Sequence, residues 1–363
     1  MEKCYLDSIK RHISFKFNNL RLESNLKSRQ HPIEEILYAL EHPDLATGVY
    51  QYALITAKAI YNIDREDRFK TWFKRKWREA ENNYNKAISV LSEYRALYYL
   101  LTTMEKIIPI LDNEKIPGKE NDKSPDFRLE TKNSEKIYFE VFTPRIKDSV
   151  SKEISKFFNE YRTEDNKKIT VETIAYNPVY GEEDECNRAK IIKSRILSKK
   201  SHAGQVCPNA INILWIDLIA PIWNYSKSAA KPFIVNNCKG EIFIGTNGIW
   251  HAFYGNEGTK IIKDRTSLKY ITKHDFINQS FKGYFYEDKC KWSGVILAFD
   301  DGIVFFQNPV AEYSITKDQI KYLSRIDGFD FSLSWINIDD NYLLNRVENI
   351  KKELEYMYNL NEK

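Results

Sequence analysis

Ser124-Pro125-Asp126-Phe127-Arg128-Leu129-Glu130, followed shortly by Tyr138-Phe139-Glu140-Val141-Phe142-Thr143-Pro144, reads as two strands, each with an acidic residue among hydrophobic neighbours. Residues 126–130 alternate in polarity and stop at Thr131-Lys132-Asn133-Ser134, a tetrapeptide rich in turn formers. Residues 137–143 resume with β-branched and aromatic side chains. Side chains alternate along a strand, so Tyr138, Glu140 and Phe142 share one face and Ile137, Phe139 and Val141 the other. With both faces apolar, the strand is expected inside a sheet, with one carboxylate planted in it. A buried carboxylate is costly without a partner, and a hard divalent cation is one partner that suits it. Two strand carboxylates that converge therefore point to a cation site.

Over residues 83–220 this pattern resembles the PD-(D/E)xK nuclease superfamily, with Pro125-Asp126 as its Pro-Asp and Glu140 as its later acid. The resemblance implies an α/β protein built on a restriction-endonuclease-like mixed sheet flanked by helices. It also implies hydrolysis of phosphodiester bonds in nucleic acid, with DNA expected ahead of RNA and the choice left open by the sequence, and with Asp126 and Glu140 holding Mg2+ or Mn2+. Members often carry a further metal-facing Glu on the helix before the two strands, and Ser92-Glu93-Tyr94-Arg95-Ala96 looks like that helix. Glu93 lies along an apolar stripe with Val90, Leu97, Leu100 and Met104, so it either faces the metal or pairs with a basic residue across the core.

The family has Lys two residues after the Glu, and here Phe142 stands in its place. The lysine that positions or activates the attacking water would then come from another element. Lys199 and Lys200, at the end of a helix expected over residues 187–200, are candidates. Lys199 extends the stripe of Ile192 and Ile196, although a solvated helix end, where the macrodipole favours Lys, is the commoner reason for a lysine there. The departure at Phe142 keeps open a second function, a nucleic-acid-binding protein that retains the fold and has lost cleavage.

The flanks have their own character. Residues 1–82 are expected to be helical: Ile33–Leu40 after His31-Pro32, a second helix over Gly48–Tyr61, and a third capped by Asp64 with Phe69, Phe73, Trp77 and Ala80 at helical spacing. The opposite face of that third helix holds Arg68, Lys74, Arg75 and Arg78, either a solvated face or a surface for phosphates. Residues 83–220 form the nuclease-like core, with further helices near 150–161 and 187–200 and strands at 169–175 and 211–218. Residues 221–363 turn β-rich, with one hairpin expected from Glu241–Ile244 and Ile249–Tyr254 and another from Val295–Phe299 and Ile303–Phe306. A closing helix with Leu343, Val347, Ile350, Leu354 and Met357 on one stripe packs on its own chain or forms a homodimer interface.

Composition sets the outer bounds. The 363 residues suggest two or three units. No apolar run approaches the roughly 20 residues needed to span a bilayer, so no membrane partner is expected. Five cysteines without a CxxC pair fit reduced thiols of a cytoplasmic protein better than a disulfide framework or a zinc site. A net charge of only +4 leaves any nucleic-acid surface to local clusters of basic residues.

Overall fold

A computed structural model describes residues 2–13, 31–44, 47–82, 84–111, 124–144, 189–190, 193–194, 205–220, 226–230, 233–236, 242–245, 248–258, 260–262, 274, 276–287 and 290–332. The chain divides into two compact units, the first from Met1–Tyr98, Val141–Asn177 and Asp217–Asn224, the second from Tyr99–Glu140, Pro178–Ile216 and Tyr225–Lys363. The strands beyond residue 220 join the sheet begun by those before it, so the expected boundary at 220 is not a break in the sheet. The helices expected near 150–161 and 343–357 and the strand at 169–175 lie outside the described residues, as does most of the helix at 187–200.

The first unit is helical. It contains α1 (Glu2–Ile13), α2 (Pro32–Glu41), α3 (Thr47–Arg65), α4 (Lys70–Asn82) and most of α5 (Tyr84–Leu101). His31 starts α2: its Nδ1 accepts the Ile33 N–H at 3.3 Å, and Pro32 fills the first turn, where no N–H is needed. Because Nδ1 accepts, the ring proton sits on Nε2, which donates to the Ala80 carbonyl at 3.2 Å and so ties α2 to α4. Asp64 does not cap the third helix as expected. It lies inside α3, which runs on to Arg65, and its carboxylate instead meets His12 at 3.0 Å.

α4 and α5 meet through aromatic rings. Phe73 stacks on Trp77 at 5.7 Å and on Tyr94 at 5.1 Å, while Trp72 meets the Tyr94 edge at 5.5 Å. Such pairs contribute about 1 kcal/mol each beyond the area they bury. The Tyr94 hydroxyl donates to the Phe73 carbonyl at 3.1 Å, so the ring is buried without stranding its polar end.

The second unit is built on a mixed seven-stranded sheet in the order β1-β2-β3-β4-β9-β10-β11. These strands are β1 (Lys106–Pro109), β2 (Phe127–Glu130), β3 (Lys136–Phe142), β4 (Ile211–Asp217), β9 (Gly294–Phe299), β10 (Gly302–Gln307) and β11 (Phe329–Ser332). The last residues of β3 and β4 are assigned to the first unit. β1, β2 and β3 form an antiparallel meander, with Phe127 opposite Phe139 and Pro109 opposite Phe127. β9 and β10 form the expected hairpin, closed at Gly302 opposite Phe299. There the left-handed φ of +139° requires glycine, and a Cβ would meet the Gly328 carbonyl at 2.6 Å. β10 and β11 are parallel, joined through α7 (Lys317–Leu323), whose Thr316 and Gln319 form a complete capping box.

Two sequence expectations fail here. The helical pattern was expected to continue to Met104 and Ile108, but α5 ends at Leu101. The hydroxyls of Thr102 and Thr103 donate back to the carbonyls of Tyr99 and Leu100 at 2.6 and 2.7 Å, closing the helix end. Met104 then turns left-handed with a φ of 59° and stands 91% exposed, off the stripe assigned to it. Ile107 and Ile108 start an edge strand, where Pro109 is tolerated.

The other failure is the hairpin at 241–254. β5 (Phe233–Asn236) pairs instead with β6 (Ile242–Gly245), and Gly248–Tyr254 forms helix α6. Every residue of α6 is buried, so the run is apolar on all sides and carries no period to separate helix from strand. Burial against Phe306, whose ring stacks on Phe253 at 4.3 Å, overrides the β propensity of Ile249, Trp250 and Phe253. A short ladder of β7 (Lys260–Ile262) and β8 (Phe276–Asn278) completes the described elements.

Candidate functional site

β3 is interior to the sheet, with β2 and β4 as its neighbours, and it is buried along most of its length. Glu140 on this strand is only 4% exposed. The β2–β3 register ends at the Phe127–Phe139 pair, with Asp126 directly before Phe127 and Glu140 directly after Phe139. The Asp126 N–H donates to the Phe139 carbonyl at 2.9 Å, while its own carbonyl accepts the Ile110 N–H at 2.8 Å. In a regular strand both groups of one residue point to the same neighbour, so the pleat breaks at Asp126, as at a β-bulge. Bulges re-aim side chains, and strand alternation no longer dictates the face that Asp126 presents.

Position 142 is occupied by a side chain of the core. Phe142 is 6% exposed. Lys199 and Lys200 lie outside the described residues.

Glu93 belongs to the first unit, in a stretch of α5 where Leu91 to Leu97 are buried without interruption. A helix buried on every side must pair any charge it carries. Glu93 Oε2 meets Lys76 Nζ at 2.8 Å, with the side chains 10% and 8% exposed. Pairing with a basic residue across the core is thus the arrangement in this structure. Sequence reasoning missed Lys76, although the signal was there. Lys76 sits three residues after Phe73 and four before Ala80, a lone charge on the apolar face of α4.

Arg95, two residues further along α5, was missed as well. Its Nε and Nη2 hold Asp217 Oδ2 at 2.9 and 2.7 Å, Nη1 donates to Thr56 Oγ1 at 2.8 Å, and Nη2 donates to Ser92 Oγ at 3.0 Å. The guanidinium also lies over the Tyr52 ring at 4.8 Å. Asp217 spends its other oxygen on the Ile219 N–H at 3.0 Å. Every polar atom of the cluster is used within the fold, so it fastens α3, α5 and the end of β4 together. Arg68, in the turn before α4, and Lys74 and Arg78 on α4 are exposed, and Arg75 is half-buried, which serves either reading of these basic residues.

Carboxylate oxygens suit Mg2+ and Mn2+, and magnesium commonly takes only one or two of them from a protein. Asp126 and Glu140 supply that donor type. Among the described residues, no group of three or more His, Cys, Asp or Glu side chains is gathered to hold a metal. No described helix is long and apolar enough to cross a membrane. No family model, curated protein or solved structure matches the chain.

Proposed function

We propose that the chain is a metal-dependent nuclease acting on nucleic acid, DNA rather than RNA, with Asp126 and Glu140 as the carboxylates that hold Mg2+ or Mn2+. What supports this reading is that the Asp126 N–H bonds the carbonyl of Phe139, the residue before Glu140, and that Glu140 is buried in an interior strand. When bound, the ion would lower the pKa of a water and stabilise charge on the scissile phosphate. Glu140 contributes oxygen donors from an interior strand, and Asp126 from the residue directly before β2. The cation that contacts phosphate is drawn from an element other than β3, with Lys199 as the candidate.

The rival reading is a nucleic-acid-binding protein without cleavage. It is favoured by the buried Phe142 at the lysine position and by the Lys76–Glu93 pair. Incubating the purified chain with Mg2+ or Mn2+ on duplex DNA, single-stranded DNA and RNA separates the two. A nuclease cleaves at least one substrate, and Asp126→Asn or Glu140→Gln lowers the rate by a factor of about 100 or more. Equal cleavage by the wild type and both variants contradicts the site. Salt-sensitive binding with no cleavage of any substrate selects the rival.

A further inference from the structure

The end of the β2–β3 ladder remote from Asp126 and Glu140 opens into a cavity of about 530 Å3, whose lining includes Met104, Lys106, Glu130, Lys132, Ser134 and Lys136. Its charge is lopsided. Glu130 is held by Lys106 at 2.7 Å and Arg128 at 3.1 Å, and these contacts, the Lys106 hydrogen bond foremost, keep its carboxyl below the usual range. Glu105, also on the lining, is held by Arg325 at 2.9 Å. Glu135, in the turn, accepts from Gln319 Nε2 at 3.1 Å. The lining acids are therefore already matched by cations of the fold, and exposed Lys132 and Lys136 add positive charge beyond them.

The backbone around the cavity is stiff and strained. The Thr131 N–H donates to the Glu135 carbonyl at 3.0 Å, and the Ser134 N–H donates to the Thr131 carbonyl at 2.9 Å. The Glu135 N–H donates to Thr131 Oγ1 at 3.2 Å. Among the described residues, three besides glycine have a left-handed φ, and two of them, Met104 at 59° and Ser134 at 63°, line this cavity. Backbone strain of this kind gathers at ligand sites. Met104, 91% exposed, offers an apolar surface beside the lysines.

We infer that this cavity binds an organic phosphate, with Lys132 and Lys136 around the phosphate and Met104 against the organic body. The volume falls within the range of small-molecule sites. Lysine ammoniums recognise phosphate as point charges, so the site needs no further shape from the protein to favour it. The inference stands whether or not the chain cleaves nucleic acid. A free nucleotide and the phosphorylated end of a nucleic-acid strand share this chemistry.

Calorimetric titration of the full chain with adenosine 5′-monophosphate and with adenosine tests it, alongside a single-stranded oligonucleotide carrying a 5′-phosphate or a 5′-hydroxyl. The monophosphate or the phosphorylated strand should bind at least tenfold more tightly than its unphosphorylated counterpart, and added KCl should weaken it. The double variant Lys132→Gln/Lys136→Gln should lose that preference, while Lys291→Gln, an exposed lysine outside the cavity, keeps it. Tighter binding of the phosphorylated strand than of the mononucleotide assigns the strand end as ligand, and comparable binding assigns the nucleotide. Equal binding of phosphorylated and unphosphorylated forms, no binding of either, or an unchanged preference in a folded double variant overturns the inference.

Discussion

In α5, the unbroken buried stretch from Leu91 to Leu97 carries two charges, and each closes on an opposite charge of the same unit. At the end of the β1–β2 ladder, Lys106, Arg128 and Glu130 form contacts of similar length, yet the Lys106 side chain is 67% exposed. Removing one partner from a buried pair strands the other charge where water cannot reach it. Removing one partner from an exposed pair leaves the other to water, at little cost. Charges in α5 therefore fix the fold, whereas those at the open end of the ladder can exchange partners for a ligand.

Removing Asp217 should produce the largest effect. Asp217→Ala leaves the fully buried Arg95 guanidinium without its counter-charge and should cost about 3–5 kcal/mol in urea unfolding. Replacing Arg95 and Asp217 together with apolar residues of similar volume should restore much of the loss. A loss below about 1 kcal/mol for the single variant would remove α5 from the fixed side of the comparison.

His251 sharpens the comparison because it is buried with a neutral partner. Its Nδ1 lies 2.9 Å from Gln279 Oε1, and burial pushes its pKa down to about 4. The unfolded chain takes up this proton near pH 6.5 and the folded chain only near pH 4, so stability is full above pH 6.5 and falls as the pH drops toward 4. The expected loss over that window is about 3 kcal/mol, read as a shift of the urea midpoint. His251→Gln should flatten the slope in this range, and an unchanged slope would mean that other groups govern the acid limb.

The smallest effect belongs to the open end of the ladder. Lys106→Ala should cost about 1 kcal/mol or less, and the difference should shrink in 1 M salt, where exposed pairs are screened. A larger, salt-independent loss would place Lys106 among the residues that fix the fold.

What the sequence disclosed follows the same division between local and distant causes. The β9–β10 hairpin was readable because Asp300-Asp301-Gly302 separates two apolar runs within a few residues. The N-terminal helices were readable from their stripes, as with Ile33 and Ile36 of α2. The fate of Ile249–Tyr254 was hidden because its burial depends on rings far along the chain, such as Phe306. At the candidate site, β2 and β3 followed from alternation and turn residues. The break in the pleat at Asp126 did not, since it depends on the hydrogen bond to Phe139 and the one from Ile110. Arg95 and Asp217 are 122 residues apart, and no local pattern links them. Lys76 and Glu93 were each visible as a lone charge on an apolar stripe, but only the packing of α4 on α5 pairs them.

The central claim is that Asp126 and Glu140 together hold a divalent cation. A crystal of the full chain soaked in MnCl2 and measured at a wavelength where manganese scatters anomalously tests it most directly. The account predicts an anomalous peak about 2.2 Å from carboxylate oxygens of both residues, absent from Asp126→Asn crystals soaked alike. No peak at these residues, or one that persists in the Asp126→Asn crystals, would contradict it.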